Sequence, residues 1–332
     1  MIYNQEEESY AIPRGVFEIG LGMCIPTMMA YATQDQLQRF VAPALGGKEV
    51  WCQLFSEPSG GSDVAAVRTR AERDGDTWTI NGQKIWTSGA QFSDFGIMVT
   101  RSDPTVPKHM GLTFFFLDMK SPGVEIRPIK QASGASHFNE VFFTDVKIPD
   151  SQRLGGVGQG WRVSLTTLMN ERLAIGDTPR PDVEDLLDLC RQIDLDGEPA
   201  MQNVAVREKI ADMHVRSQGL KYTRFRTMTA LSRGQTPGPE SSIGKLVNAA
   251  KLQDIASFGM DLLGSAGVVM DKKLAPMNAM FQEALLGAPA SRIAGGTDEI
   301  LRNIIAERVL GLPGDIRVDK DIPFNRLPTG KR

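Results

Sequence analysis

The segment Leu54-Phe55-Ser56-Glu57-Pro58-Ser59-Gly60-Gly61-Ser62-Asp63 is a strand end that opens into bare backbone, and it is well suited to hold a ligand. Pro58 brings no N–H and ends the strand, while Ser59-Gly60-Gly61-Ser62 lets backbone amides approach a guest with no Cβ atoms in the way. Phosphate oxygens are natural guests of such a run, which by itself also fits an ordinary turn. Downstream, Ile80-Asn81-Gly82-Gln83-Lys84-Ile85-Trp86-Thr87-Ser88-Gly89 makes a tight turn at Asn81-Gly82. It then feeds a strand with an aromatic, Trp86, and a hydroxyl, Ser88, two residues apart. Near the other end, Ile293-Ala294-Gly295-Gly296-Thr297-Asp298-Glu299-Ile300-Leu301-Arg302-Asn303 runs a glycine pair into a helix start, where aligned amides favour an anion.

In this order and spacing the three segments resemble the acyl-CoA dehydrogenase family, and the similarity runs from about Gly20 to Pro313. The resemblance implies an α+β multidomain fold: a helical N-terminal segment, a central β-barrel-like domain and a C-terminal four-helix bundle. FAD would lie between the last two and a neighbouring subunit. The implied reaction is α,β-dehydrogenation of an acyl-CoA thioester to the trans-2-enoyl-CoA. A carboxylate takes the α-proton, flavin N5 accepts the β-hydride, and an electron-transfer flavoprotein is the electron acceptor.

The resemblance also implies roles for individual residues. Phe55 and Ser56 would make backbone and hydroxyl contacts with the isoalloxazine ring, with Trp86 and Ser88 flanking it from the opposite strand. Gly61 and Ser62 would serve the pyrophosphate or the pantetheine arm, and Thr297 and Glu299 the adenosine part of FAD. For Trp86 the alternative is a core aromatic; for Ser56 and Ser88 it is ordinary strand hydroxyls. Many members carry their base immediately before the Gly-Thr pair, where this chain has Gly295. Its N–H is left as a candidate donor to the thioester carbonyl.

Other branches, the isovaleryl- and long-chain-specific enzymes, place a glutamate on the first long bundle helix, and Met169-Asn170-Glu171-Arg172-Leu173-Ala174-Ile175 is similar to that segment. Glu171 shares a helical face with Ser164, Thr167, Leu168, Ala174 and Ile175, a small and apolar surface on which a carboxylate would be desolvated as substrate expels water. A surface glutamate paired with Arg172 or another cation is the alternative. The family's Arg-x-x-Phe-Gly motif, which reaches a neighbour's FAD, corresponds here to Ile193-Asp194-Leu195-Asp196-Gly197, with the glycine alone retained. Asp261 and Ser265 replace a more usual glutamine and glycine near the cofactor.

Composition narrows the class. With 332 residues, 41% of them hydrophobic, and a formal charge of −3, the chain has room for two or three packed units and no excess of cations for a nucleic acid. Cys24, Cys52 and Cys190 are odd in number and widely spaced, which fits reduced intracellular thiols. Leu112 to Leu117, the longest strongly apolar stretch, is strand length, so no membrane span is expected and a cytoplasmic location follows by default. His109, His137 and His214 lack a second ligand at useful spacing, so no metal role is assigned. The methionines fit core filling and the lining of an acyl pocket.

Residues 1–48 read as a helical N-terminal domain, short for the family, whose members carry further helices before this point. An amphipathic stretch from Gln34 to Val41 is predicted to end ahead of Pro43. Residues 49–155 form the β domain, with short runs separated by Asp74-Gly75, Asn81-Gly82 and Pro122-Gly123. Residues 156–313 form the bundle, with Val206, Ile210, Met213 and Leu220 on one helical face and Ile243, Val247 and Ala250 on another. Its last helix runs from Asp298 to Leu310. Residues 314–332 are a charged, extended tail. A homodimer or homotetramer is implied, with a hetero-oligomer open. Three functional readings stand: a dehydrogenase, a non-catalytic partner subunit with a degraded flavin site, and an acyl-CoA oxidase.

Overall fold

The computed structural model describes residues 10, 15–174, 181–235, 238–239 and 241–328. The chain divides into two compact units, Met1–Glu171 together with Arg317–Arg332, and Arg172–Ile316.

In the first unit, α1 (Ile25–Tyr31) and α2 (Gln34–Leu45) precede the sheet. Thr33 opens α2 with a capping box, its Oγ1 accepting from Gln36 N at 3.4 Å and its N–H donating to Gln36 Oε1 at 2.7 Å. The sequence predicts a stop before Pro43, yet α2 runs on to Leu45. A proline in the last turn removes one helical hydrogen bond, and the N–H groups of Gly46 and Lys48 close the end on Ala42 O and Pro43 O.

Eight strands follow: β1 (Trp51–Leu54), β2 (Arg70–Asp74), β3 (Thr77–Ser88), β4 (Phe95–Arg101), β5 (Leu112–Asp118), β6 (Val124–Ile129), β7 (Phe138–Pro149) and β8 (Arg153–Leu154). Their order is β6-β7-β3-β2-β4-β5-β8, with β1 running parallel to β4. β4 and β5 are near-continuous apolar runs, interrupted by Thr100 and Thr113, because both their faces are covered. Ile97, Val99, Phe114 and Phe116 face a core with Met28, Trp51 and Phe55, whereas Met98, Phe115 and Leu117 face another with Trp78, Ile80 and Val141. α3 (Gly160–Ala174) adds Val163 to the first of these cores. Cys24 and Cys52 are free and buried, and burial, the larger influence, pushes the Cys52 thiol up to about 12.

Composition alone leaves the C-terminal tail extended, but from Arg317 the chain rejoins the first unit. Phe324 N donates to Val106 O and Asn325 N to Pro104 O, each at 2.9 Å. The Phe324 ring lies over the Arg101 guanidinium, 3.9 Å from carbon to centroid. An aromatic face over a buried cation gives this polar segment a reason to settle.

The second unit holds α4 (Val183–Gln192), α5 (Val204–Ser232), α6 (Ser241–Leu263), α7 (Met280–Ser291) and α8 (Asp298–Arg308). α6 packs against α4, α5, α7 and α8. Val206, Ile210 and Met213 are buried along α5, as their spacing predicts. On α6 the buried line is Ala249, Leu252, Ile255 and Ala256, while Ile243, Val247 and Ala250 are half-buried. Among the described residues, no helix is long and apolar enough to cross a membrane.

Gly259 of α6 faces the fully buried Phe281 of α7, and a Cβ there would stand 2.2–2.7 Å from three ring atoms. Gly259→Ala is therefore expected to destabilise the protein by about 1–3 kcal/mol, although alanine has the better helix propensity by roughly 1 kcal/mol. Gly287→Ala in α7, where a Cβ meets nothing within 4 Å, should be neutral or stabilising. Urea unfolding of the two variants reads the difference.

Candidate cofactor and active site

The glycine-rich loop leaves β1 beside β3. Ile85 N donates to Ser56 O at 2.9 Å, and Glu57 and Gly60 exchange backbone hydrogen bonds of 3.2 and 2.9 Å. Beneath this junction Lys84, fully buried, donates from Nζ to Glu57 Oε1 at 2.9 Å and to Phe55 O at 3.0 Å. The same carboxylate accepts from the backbone N–H of Arg68 at 2.6 Å and of Thr69 at 2.9 Å. One buried ion pair thus ties the end of β1, the far end of the loop and β3 together.

Burial, the largest single influence on Glu57, would raise its pKa. The charge and hydrogen bond of Lys84, with those from Thr69, outweigh it and hold the carboxyl below its ordinary 4.5. For Lys84 the balance goes the other way: burial lowers its pKa, and the attraction of Glu57 offsets only part of that. The motifs by themselves single out neither residue. The signal was there, since Lys84 takes an inward position in the alternation of β3 after Trp78 and Ile80, and a lysine facing a core needs a partner.

Inward alternation would bury Trp86 as well. Instead the pairing of β3 with β7 shifts between Lys84 and Thr87, and Trp86 adopts φ 60°. The bulge turns the ring outward, leaving the residue 56% exposed with its edge toward Phe138 at 6.1 Å. Trp86 is therefore not a core aromatic. A bulky residue in this left-handed region costs about 1–3 kcal/mol, the kind of strain that clusters at ligand sites. Ser88, half-buried, lies in register with Phe138. Phe55 is buried edge-on against Phe114, so its side chain serves the core and only its backbone remains for a ligand. Gly61 and Ser62 are exposed in the loop, where a Cβ on Gly61 would lie 3.4 Å from Ser56 Oγ. Phe55, Ser56, Gly61, Ser62, Trp86 and Ser88 thus gather at one junction of the first unit.

α3 carries Glu171. Ser164 and Thr167 are buried, Leu168 is half-buried, and Glu171 continues that face one turn on, also half-buried. Ile175, assigned to the same face, lies outside the described residues. Val163 and Leu168 pack in the core that also holds Phe55. α1 braces the helix through Thr27 Oγ1 with Thr167 Oγ1 and through Tyr31 OH with Thr166 Oγ1, both at 2.9 Å.

In the second unit, Gly295 and Gly296 have φ 65° and 93°, a turn that glycine makes without strain. Thr297 caps α8, its Oγ1 accepting from Ile300 N at 3.3 Å. Lys245 Nζ donates to Gly296 O at 2.5 Å, and the buried Asp298 pairs with Arg292 at 2.6 Å, which reaches Gln253 at 3.0 Å. Glu299 is exposed. Gly295, Thr297 and Glu299 therefore sit together on a braced helix start. Asp194 to Pro199, where the Arg-x-x-Phe-Gly motif would fall, form a small hairpin of β9 (Asp194–Leu195) and β10 (Glu198–Pro199) turned by Asp196 at φ 54° and Gly197 at φ 87°. Arg191 pairs with Asp188 of its own helix at 2.7 Å, and Asp261 and Ser265 are exposed. Among the described residues, no group of three His, Cys, Asp or Glu side chains is arranged to hold a metal ion.

Residues 52–146 match the middle domain of acyl-CoA dehydrogenases and residues 158–310 match their C-terminal domain. The chain is 37% identical over 315 residues to acyl-CoA dehydrogenase FadE34 of Mycobacterium tuberculosis, covering 94% of this chain and 42% of that protein. It is 36% identical over 318 residues to acyl-CoA dehydrogenase IpdE1 of the same organism, covering 93% and 80%. It thus spans less than half the length of the first of these relatives and four fifths of the second. The solved structure of the Tcur3481-Tcur3483 steroid ACAD superposes with a TM-score of 0.82 at 25% identity, over 90% of this chain and 77% of that one.

Removing one partner of the buried pair strands the other. Glu57→Gln is expected to cost about 3–5 kcal/mol, and Lys84→Met less, because Glu57 keeps its two backbone donors. The double variant should be more stable than the two losses added together, which a urea double-mutant cycle measures. Because the folded pKa of Glu57 lies below 4.5, its contribution is complete above that pH and fades as pH falls through the lowered value. The acid limb of the stability curve should flatten in Glu57→Gln.

Proposed function

Because the chain belongs to the acyl-CoA dehydrogenase family, whose members are FAD-dependent flavoproteins, we propose that it oxidises an acyl-CoA thioester to the trans-2-enoyl-CoA with Glu171 as the base. The main support for Glu171 is its place on α3. It is a half-buried carboxylate continuing a face of buried and half-buried residues, on a helix packed into the core that holds Phe55. Removing water around such a group makes it a stronger base toward a weakly acidic carbon.

The residues fit the cofactor. A ring turned outward at a strained bulge suits a planar partner, and a loop where a Cβ on Gly60 would meet nothing within 4 Å suits phosphate. Ser56, Ser88, Trp86 and the Phe55 backbone would hold the isoalloxazine ring. Gly61 and Ser62 would hold the pyrophosphate or the pantetheine arm, and Thr297 and Glu299 the adenosine part. When bound, FAD supplies the oxidising power, accepting the β-hydrogen with its electron pair. Glu171 takes the α-proton, and the electrons of the broken Cα–H bond become the new Cα=Cβ bond. The Gly295 N–H donates to the thioester oxygen as charge gathers there. An electron-transfer flavoprotein would be the partner that takes the electrons onward. Ring-bearing acyl groups are the class to try first, since one similar solved structure is a steroid ACAD and a base on α3 leaves the position of Gly295 without a side chain.

A second reading has one observation in its favour. The hairpin that stands where an arginine and a phenylalanine would reach a neighbour's FAD carries Asp194 and Asp196. In that reading the chain is the non-catalytic member of a hetero-oligomer.

The test is the visible spectrum of the protein, followed anaerobically as short, branched and ring-bearing acyl-CoAs are added. The flavin band should bleach with one class. Glu171→Gln should keep the band and slow bleaching by roughly 10²–10⁴-fold. Normal reduction in that variant would remove Glu171 from the mechanism, and a protein that gains no band with added FAD would favour the partner subunit.

A further inference from the structure

We infer that the C-terminal segment from Arg317 is a strap that sets the glycine-rich loop, and that Lys108 is the positioning residue through which it acts. This rests on reading that loop as a binding loop. Lys108 is 9% exposed at its side chain and makes two 2.6 Å ion pairs, one to Asp63 directly after Ser59-Gly60-Gly61-Ser62 and one to Asp319 of the returning segment. The two carboxylates are 49% and 35% exposed. The lysine between them is the shielded member, and it makes one assembly of loop and strap.

A second grip lies alongside. The buried Arg101 donates to Ala65 O, to Val67 O at 3.4 Å and to Lys108 O at 2.7 Å. It thereby fixes both the exit of the loop and the backbone that bears Lys108. Phe324 of the strap covers this guanidinium at 3.9 Å, and Arg68 approaches the same ring at 5.5 Å. Backbone hydrogen bonds from Phe324 and Asn325 to Val106 and Pro104 keep the strap against the Lys108 segment. Loop exit, lysine and strap are therefore coupled at three places, none of which involves Glu171.

The strap predicts a local effect that overall destabilisation would not produce. In hydrogen–deuterium exchange of the full chain, Asp319→Asn and Lys108→Met should speed exchange of amides 60–67 by roughly three- to ten-fold, the size of a partly shielded ion pair. Lys108→Arg should restore protection, and Asp321→Asn, an exposed neighbour, should match the parent. Exchange in α5 and α6 should not move. With thioester and FAD present, Asp319→Asn should raise KM more than it lowers kcat. Unchanged exchange at 60–67 in both variants, or equal acceleration across the whole first unit, would overturn the inference. A loop effect in a protein whose flavin is not reduced by any thioester would keep the strap and discard the catalytic reading.

Discussion

The buried ion pair of Glu57 and Lys84 is the constraint on which the first unit's share of the candidate cofactor site depends. A loop of serine and glycine has almost no side-chain means of holding itself, and its backbone polar groups must stay available to a ligand. Its shape therefore has to come from its ends. Glu57 takes the N–H groups of Arg68 and Thr69, and Lys84 takes the carbonyl of Phe55. Both ends of the loop and the neighbouring strand meet at one charge pair. Desolvating two charges costs several kcal/mol each before their attraction and hydrogen bonds offset it, so such a pair is a poor source of net stability. Its value is positional, because the observed register lets Lys84 reach both the Glu57 carboxylate and the Phe55 carbonyl.

The same strand shows how a neighbouring irregularity follows from that pair. With Lys84 fixed inward, strict alternation would send Trp86 inward too, into a core already filled by Phe115, Val141 and their neighbours. The bulge between Lys84 and Thr87 resolves the conflict at the expense of a left-handed tryptophan. Lys84 is buried, Trp86 is exposed, and the register shift lies between Lys84 and Thr87. The left-handed Trp86 accompanies a switch that puts Thr87 in the buried position instead.

Much of this was legible in the sequence, and the remainder shows what periodicity cannot encode. Alternation and the turns at Asp74-Gly75 and Pro122-Gly123 located strands, whereas Asn81-Gly82, which reads as a hairpin turn, is a register shift inside the continuous β3. The 3.6-residue spacing of Val206, Ile210 and Met213 located the face of α5, and three short motifs carried the family. Pro43 misled about the end of α2 because a proline rule written for helix interiors says little about a last turn. Glu57, Arg101 and Lys108 escape a reading from periodicity for another reason. A charged residue is assigned to solvent unless its partner is known, and the partners here lie 27 residues away for Glu57 and 211 away, at Asp319, for Lys108. The tail reads as extended for the same cause: its composition is that of a solvated segment, and its anchors, the Arg101 guanidinium beneath Phe324 and Lys108 at Asp319, lie far away in sequence.

On the proposed reading, this layout bears on how the family chemistry could survive the loss of a carboxylate before the Gly-Thr pair. A base must keep its distance to the flavin within a fraction of an ångström, because misplacement by about 1 Å can cost 10²-fold in rate. Glu171 and the residues proposed for the isoalloxazine ring fall in one compact unit, and Phe55, Val163 and Leu168 share one core within it. The hydroxyl pairs of Thr27 with Thr167 and of Tyr31 with Thr166 fix the rotation of α3 about its axis, which a purely apolar contact would leave freer. Base and flavin would then be held by the same packing. The vacated position is a glycine whose positive φ places a backbone amide in a turn braced by Lys245 and Arg292. Moving the carboxylate to α3 thus divides the work. On that reading a packed core would set the proton acceptor, and the glycine turn, which carries no side chain, would leave its backbone amide as the donor.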